Sequence, residues 1–490
     1  MTPEEQMIND RIAKIKRLKE KGIEPYPYNF DKKHDAIDLL SKFGNLKEGE
    51  HSKSKAKVAG RILSLRIMGG AAFAHILDNT GKIQLYFAKN NLKNYKDLKL
   101  FDIGDFVGVE GVIFRTKRGE LSIEVKKFKI LSKSLRPLPE KWHGLQDTEI
   151  RYRKRYLDFI SNPEVKQVFE KRAKIMSLIR QFMEKKGFVE VDIPVLQPVY
   201  GGANARPFKT HINAWDLNLY LSISPELYLK RLVIGGFEKV YTICKNFRNE
   251  GVDRTHNPEF TMMECYWAYK DYEDMMKLTE DLFEFVCLKL FGTTKIDYQG
   301  TKLDFKKPWK RIAMIDVIKK HTNINVKELS DADLKKLLKD YKIKFDQEFN
   351  RDLVIQAIFE ELVEEKLIQP TFVVDHPKAT SPLCKVHKNH PGLLDRFEPY
   401  VMGWELGNAY SELNDPREQR KLLQEQAESG KRGDPEAHQM DEDFILALEH
   451  GMPPTGGLGI GIDRMIMLLT GAKTIRDVIA FPTMKPEQKD

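Results

Sequence analysis

The stretch Lys239–Tyr269, KVYTICKNFRNEGVDRTHNPEFTMMECYWAY, constrains this chain most. Two β-rich runs, Val240–Phe247 and Glu259–Tyr269, flank a loop that carries Arg248, Glu250, Asp253, Arg254 and His256. Strand side chains alternate faces with period 2. Phe260, Met262, Glu264 and Tyr266 therefore share one face, and Thr261, Met263, Cys265 and Trp267 the other. The first face sets an aromatic ring, a carboxylate and a phenol in line beside a loop with two Arg and a His. That combination suits a site for something flat, something cationic and something anionic together. A charged hairpin tip can equally be solvated, and an aromatic strand can equally be core.

Other stretches bear on the choice. Residues 394–415, LDRFEPYVMGWELGNAYSELND, place Glu398, Glu405 and Glu412 at equal spacing, with Pro399 and Gly403 suggesting a turn between the first two. Carboxylates flanking a hairpin can share divalent cations, and Mg2+ prefers one or two carboxylates plus phosphate oxygens and water. Asn408, Tyr410 and Glu412 fall on one strand face; Glu405 has the wrong parity, which a bulge at Gly407 would correct. Residues 456–470, GGLGIGIDRMIMLLT, read as a glycine-rich strand entering an apolar helix, with Arg464 at the junction. Ile462 stands where a third glycine would be needed, so a dinucleotide-binding fingerprint fails, and no G-x-x-x-x-G-K-[ST] loop occurs. Upstream, Gly201-Gly202 marks a flexible turn. Glu226 opens a helix, where a carboxylate also favours the helix dipole.

The N-terminal part has a different period. Ile8, Ile12, Ile15 and Leu18 recur at helical spacing among Arg11, Lys14, Lys16, Arg17, Lys19 and Lys21, which predicts a basic amphipathic helix. Residues 57–132 hold about five short β-rich runs split by Gly and Asn turns, which suggests a small barrel of oligonucleotide-binding type. Phe73, His75, Gln84 and Tyr86 are its candidate surface groups, since rings stack on unpaired bases and amides read base edges. A Phe in a small barrel can also be core. The +9 formal charge, from 81 Lys+Arg against 72 Asp+Glu, is compatible with a polyanionic partner. Four cysteines without a C-x-x-C pair give no zinc-ribbon or disulfide framework, so a cytoplasmic location is expected. No run approaches a membrane span, and no membrane association is expected. The expected domains are a basic helical segment over 1–56, the barrel over 57–135, a linker over 136–160, and a catalytic domain over 161–490 with a helical insertion around 271–370.

Taken together, FRNEG…RTHNPEFTMME, GLGIGIDRMIML and the long helix plus strand ending at Pro194 resemble motifs 2, 3 and 1 of class II aminoacyl-tRNA synthetases. Over essentially the whole chain the resemblance is to the bacterial-type lysyl-tRNA synthetases. It implies an α+β fold: a five-stranded anticodon-binding barrel followed by an antiparallel catalytic sheet flanked by helices, as a homodimer. It implies ATP-dependent ligation of L-lysine to tRNA(Lys) through a lysyl-adenylate, with more than one Mg2+ per site.

Roles follow from the same resemblance. Arg248 would hold the ATP α-phosphate and the amino-acid carboxylate. Phe260 would stack on adenine, with Arg464 on the other side reaching towards the phosphates. Glu250 would read the adenine region and His256 the terminal phosphates. Glu398 and Glu405 would hold Mg2+. Gly202, Glu226, Glu264, Tyr266, Asn408, Tyr410 and Glu412 would line the lysine pocket, and Phe73 and Gln84 would meet anticodon bases. Three carboxylates suit a substrate with two ammonium groups, and they oppose an aspartate or asparagine enzyme of the same subclass. A paralogue that lysylates elongation factor P would lack the barrel. A non-enzymatic RNA-binding protein would not need Arg248, Glu398, Glu405 and Arg464.

Overall fold

In a computed structural model that describes residues 1–139, 145–345, 348–431 and 438–487, the β-rich N-terminal runs close into a barrel. Its strands are β1 (His51–Met68), β2 (Ala71–Leu77), β3 (Lys82–Ala88), β4 (Phe106–Arg115) and β5 (Leu121–Ser132), in the order β1-β2-β3-β5-β4. β3 and β5 pair in parallel and the other neighbours antiparallel. Period-2 alternation decides what faces where. In β2, Ala72, Ala74 and Ile76 enter the core, so Phe73 and His75 point out of it.

The first helix, α1 (Pro3–Glu20), starts at a capping box between Thr2 and Glu5. Its buried face corrects the expected stripe. Arg11 and Leu18 are buried, whereas Ile12 is 48% exposed. Positions 8, 11, 15 and 18 make the tighter arc, and Arg11 fits there because its guanidinium donates to the carbonyls of Ser134 (2.7 Å), Arg136 (3.1 Å) and Ile103 (3.1 Å).

The chain divides into two compact units, Met1–Leu145 and Gln146–Asp490. The expected linker over 136–160 therefore needs correcting, although 140–144 lie outside the described residues. Helices Thr148–Arg153 and Arg155–Ser161 belong to the second unit. Arg155 anchors them, fully buried, with Asp158 Oδ2 at 2.8 Å and the carbonyls of Arg476 and Ala480 at 2.7 and 3.0 Å.

The second unit is built on a ten-stranded sheet, counted among the described residues. The elements that place the site are α2 (Pro163–Lys185), β6 (Val189–Glu190), α3 (Glu226–Ile234), β7 (Lys239–Phe247), β8 (Glu259–Ala268), α4 (Tyr272–Phe291), β9 (Lys310–Ala313), α5 (Arg351–Leu362), β10 (Thr371–Pro377), β11 (His390–Val401), β12 (Trp404–Glu405), β13 (Gly407–Ser411), β14 (Thr455–Gly461) and α6 (Ile462–Thr470). The main path runs β9-β10-β11-β13-β14-β8-β7-β6. Its interior pairs are antiparallel, but both edge pairs, β9–β10 and β7–β6, are parallel, so the sheet is mixed rather than wholly antiparallel.

One face of this sheet is dry. Tyr241, Met263, Cys265, Phe372, Phe397, Ala409, Leu458 and Ile460 pack with α2, α4 and α6 in one apolar core. The expected helical insertion over 271–370 is thus too broad. α4 lies in the central core, held at its start by Asp271 Oδ1, which accepts from Glu273 N and Asp274 N. β9 adds a strand to the sheet, and the separate helical cluster begins at Met314. The helix period of the segment hid β9, which is only four residues long. No helix among the described residues is long and apolar enough to cross a membrane.

Phe372 is fully buried, with Trp309 at 5.1 Å and Phe397 at 4.9 Å between ring centroids. Phe372→Ala is expected to destabilise the second unit by about 3–5 kcal/mol, read as a lower chemical-denaturation midpoint. A loss below about 1 kcal/mol would contradict this packing.

Candidate active site

The other face of the sheet collects polar side chains, and strand register shows how. Glu264 lies opposite Gly459, which lies opposite Asn408; Tyr266, Gly457 and Tyr410 form the next row. Gly457, Gly459 and Gly461 thus leave a side-chain-free lane down the middle of this face. A Cβ on Gly457 would lie 1.9 Å from Glu412 Oε1, and one on Gly459 would lie 3.2 Å from Met262 Cε.

The parity problem at Glu405 is resolved by a register break. Tyr400 opposes Glu405, but Arg396 opposes Tyr410. Four steps on β11 (396 to 400) face five on β12–β13 (405 to 410), so one extra residue is inserted. This bulge turns Leu406 into the apolar core and keeps Glu405 on the polar face with Asn408, Tyr410 and Glu412. Gly407 is required beside it, because a Cβ there would meet the Gly459 carbonyl at 2.2 Å.

At one end of the face lies a buried acidic pocket. Glu226, Glu264 and Glu412 are 4%, 5% and 1% exposed, which makes a solvated role untenable. Glu226 Oε2 accepts from the Tyr410 hydroxyl at 2.6 Å. Glu264 accepts from the Ser224 hydroxyl (2.9 Å) and the Tyr266 hydroxyl (3.2 Å). Gly202, at φ +86°, closes against them; a Cβ there would meet Ser224 Oγ at 2.8 Å and Glu226 Cβ at 2.9 Å. Burial, then the Glu226 charge, pushes the Glu264 carboxyl up to about 8.

The middle of the face belongs to the hairpin loop. The Arg248 guanidinium lies 5.1 Å from the Phe260 ring centroid, and its Nε is 3.4 Å from the Ile223 carbonyl. Arg464 donates to the Glu405 carbonyl at 2.5 Å and lies 3.0 Å from His256 Nε2. His256 is held in turn by Asp253, which takes its Nδ1 and its backbone N–H, each at 2.8 Å. Glu250 is exposed on the same loop.

Glu398 and Glu405 flank the β11–β12 turn. Glu398 is buried, accepting from Arg396 Nη2 (2.6 Å) and the Tyr400 hydroxyl (2.7 Å). Nearby Glu364 is pushed up to about 8, first by burial and then by the charges of Glu405, Glu360 and Glu398. This corner therefore holds more negative charge than its own cations offset. No group of three or more His, Cys, Asp or Glu among the described residues is arranged to hold a metal alone.

On the barrel, the Phe73 ring is half-buried on the outer surface, 5.0 Å from Tyr86, which neighbours Phe114 at 5.8 Å. Gln84 is already engaged: its Nε2 donates to Glu120 at 2.5 Å and its Oε1 accepts from Ser122 at 2.8 Å.

Comparison with known proteins agrees with this geometry. The family described as tRNA synthetases class II (D, K and N) matches residues 147–485, and the OB-fold nucleic acid binding domain matches 56–131. The lysine–tRNA ligase of Pelotomaculum thermopropionicum is 52% identical over 488 residues, covering 99% of this chain and 96% of that protein. Those of Carboxydothermus hydrogenoformans and Thermotoga maritima are each 50% identical, covering 98% of this chain and 98% and 96% of theirs. The chain belongs to the class II lysine–tRNA ligases.

Two buried cations of this class II ligase were missed from the sequence. Lys230 follows Glu226 by four residues on α3, and its Nζ lies 2.5 Å from both Glu226 Oε1 and Glu412 Oε2. Arg396 precedes Glu398 by two residues on β11; it spans Asn408 Oδ1 (3.0 Å), the Thr380 carbonyl (3.0 Å) and Glu398. Helix spacing i, i+4 and strand spacing i, i+2 from the named glutamates would have found both.

The Glu264 environment sets a stability slope. Unfolded, this carboxyl ionises near the ordinary 4.5; folded, it keeps its proton to about 8. Folding takes up a proton between those values, so stability falls as pH rises through that window. Wild type should lose denaturation midpoint relative to Glu264→Gln between about pH 5 and pH 8, and parallel curves would contradict the burial of an uncompensated carboxyl.

Proposed function

We infer that this enzyme activates L-lysine with ATP as lysyl-adenylate and transfers it to tRNA(Lys). The observation that carries the lysine assignment is the buried pocket of Glu226, Glu264 and Glu412, in which Glu412 Oε1 has no hydrogen-bond partner among the described residues and lies beside the Gly457 gap. A dicationic amino acid supplies what such a pocket lacks; an acidic one would be repelled. Glu226, Glu264, Tyr266, Asn408, Tyr410, Glu412 and the Gly202 turn form the lysine subsite.

Arg248 pairs with the substrate carboxylate and the α-phosphate. Burial lowers its pKa, yet a guanidinium stays charged in proteins. Phe260 provides the adenine platform beside the glycine lane, with Glu250 at the base edge. His256 and Arg464, already in contact, face the terminal phosphates. Glu398 and Glu405 are the residues that would hold Mg2+, which neutralises phosphate charge when bound. A carboxylate is itself a nucleophile, so these residues act by positioning and charge neutralisation rather than as a general base.

The tRNA assignment draws on the barrel, whose Phe73 ring suits base stacking. Gln84 reaches a base edge only by exchanging its bond to Glu120. A homodimer is supported by apolar side chains left exposed around motif 1: Val189, Val195 and Leu196, at 47%, 39% and 46%. Four unpaired cysteines suit a reducing cytoplasm.

Amino-acid-dependent ATP–pyrophosphate exchange with each of the twenty amino acids tests the reading. Lysine alone should support exchange, and Arg248→Ala should abolish it without unfolding the protein. Exchange with aspartate or asparagine instead would overturn the pocket assignment.

Lysine binding should also require ionised Glu264. Below about pH 8 most of that carboxyl is protonated, so lysine affinity should climb by up to about tenfold per pH unit from pH 6 and level off near 8. Glu264→Gln should weaken lysine binding more than ATP binding and flatten the profile. A wild-type profile already flat over this range would remove Glu264 from the lysine contact.

A further inference from the structure

Lys230 is a fully buried lysine inside a pocket assigned to lysine. Its Nζ sits between Glu226 and Glu412 and lies 5.6 Å from the Tyr410 ring centroid and 5.9 Å from that of Phe444. Burial alone would depress its pKa, but the two carboxylates outweigh burial and hold it as an ammonium. The titratable groups around it are Glu226 on its own helix, Tyr410 and Glu412 at the end of β13, Glu264 and Tyr266 on β8, and Cys384 before β11.

The occupied and open oxygens divide these carboxylates. Glu226 is saturated by Lys230 and Tyr410. Glu412 Oε2 is ion-paired with Lys230 at 2.5 Å, and among the described residues Oε1 has neither an ion pair nor a hydrogen-bond partner. Glu264 is met only by two neutral hydroxyls.

We propose that Lys230 is a specificity-determining positioning residue that trims the pocket from three negative charges to two and aims Glu412 at the substrate. This rests on the lysine reading above. Once Glu264 has given up its proton as lysine binds, three carboxylates and one internal ammonium leave two negatives, which the α- and ε-ammonium groups of lysine cancel; the substrate carboxylate pairs with Arg248. A monocationic amino acid leaves one carboxyl without a cation, so Glu264 keeps its proton and adds no charge attraction. Without Lys230, a dication no longer suffices, and Glu412 loses the contact that orients it.

Charge compensation in the full-length enzyme separates this role from packing. Lys230→Met keeps most of the volume and removes the charge. It should raise the lysine KM by about a hundredfold or more while leaving the ATP KM within a few-fold. Adding Glu226→Gln returns the pocket to two negatives. The double variant should regain at least about tenfold in kcat/KM for lysine over Lys230→Met, and should be soluble and folded even if the single variant is not. A single variant with near-normal lysine KM overturns the proposal. So does a double variant no better than the single in both folding and kcat/KM, which is what a purely packing role for Lys230 gives. Wild-type exchange is read in the same assay, and its failure with lysine would instead reject the lysine assignment itself.

Discussion

Charge buried on one face of a sheet is the constraint on which the rest of this structure depends. An ionised carboxylate out of water must be matched or it takes a proton. The fold matches some of them internally: Lys230 between Glu226 and Glu412, and Arg396 against Glu398, with the Tyr410 hydroxyl also on Glu226 and the Tyr400 hydroxyl on Glu398. Several still stay short of positive charge and are pushed up, Glu412, Glu405 and Glu360 among them. Glu264 on β8 and Glu364 in the turn after α5 both rise to about 8. Two of the raised carboxyls, Glu264 and Glu405, stand where the proposed reaction brings positive charge, the lysine ammonium groups and Mg2+. Stability given up at those carboxylates becomes selectivity for the ligand that neutralises them.

Backbone geometry makes room for that chemistry. The alternation of β14 sends Gly457, Gly459 and Gly461 to the polar face and Leu458 and Ile460 to the dry core. The same strand thus closes the core and opens the site. The bulge at Leu406 does comparable work on the neighbouring strand, where one inserted residue lets an apolar anchor and a functional carboxylate stand next to each other. Loop residues carry the remaining charges. Arg248, Asp253 and His256 lie between β7 and β8, where Asp253 restrains His256 through two contacts and also accepts from the Thr255 N–H, while the loop stays exposed. A loop ordered by its own side chains but not packed in the core is free to adjust when phosphates arrive.

Local sequence determined much of this. Alternation in Glu259–Tyr269, the glycines of Gly456–Gly461 and the spacing of Glu398, Glu405 and Glu412 were enough to place the hairpin, the lane and the bulge, because strand periodicity and steric demands at glycine act over a few residues. The order of a barrel before a catalytic domain followed from the same rules, whereas the side that Phe73 takes was left open.

Tertiary structure alone decided the partners. Nothing local says that Lys230 meets Glu412, which lies 182 residues away in sequence (412 − 230), or that Arg396 ties Asn408 to Glu398. Arg11 displaced Ile12 from a buried helix face because carbonyls from Ile103, Ser134 and Arg136 happen to converge there. The basic run taken for a linker became structure because Arg155 finds carbonyls near the C-terminus. In each case the sequence determined which side chains carry charge and roughly which face they take. Whether that charge is spent on the fold or kept for a ligand depends on groups distant in the chain, since the cost of burying it is settled only when the surrounding dielectric and counter-charges are assembled.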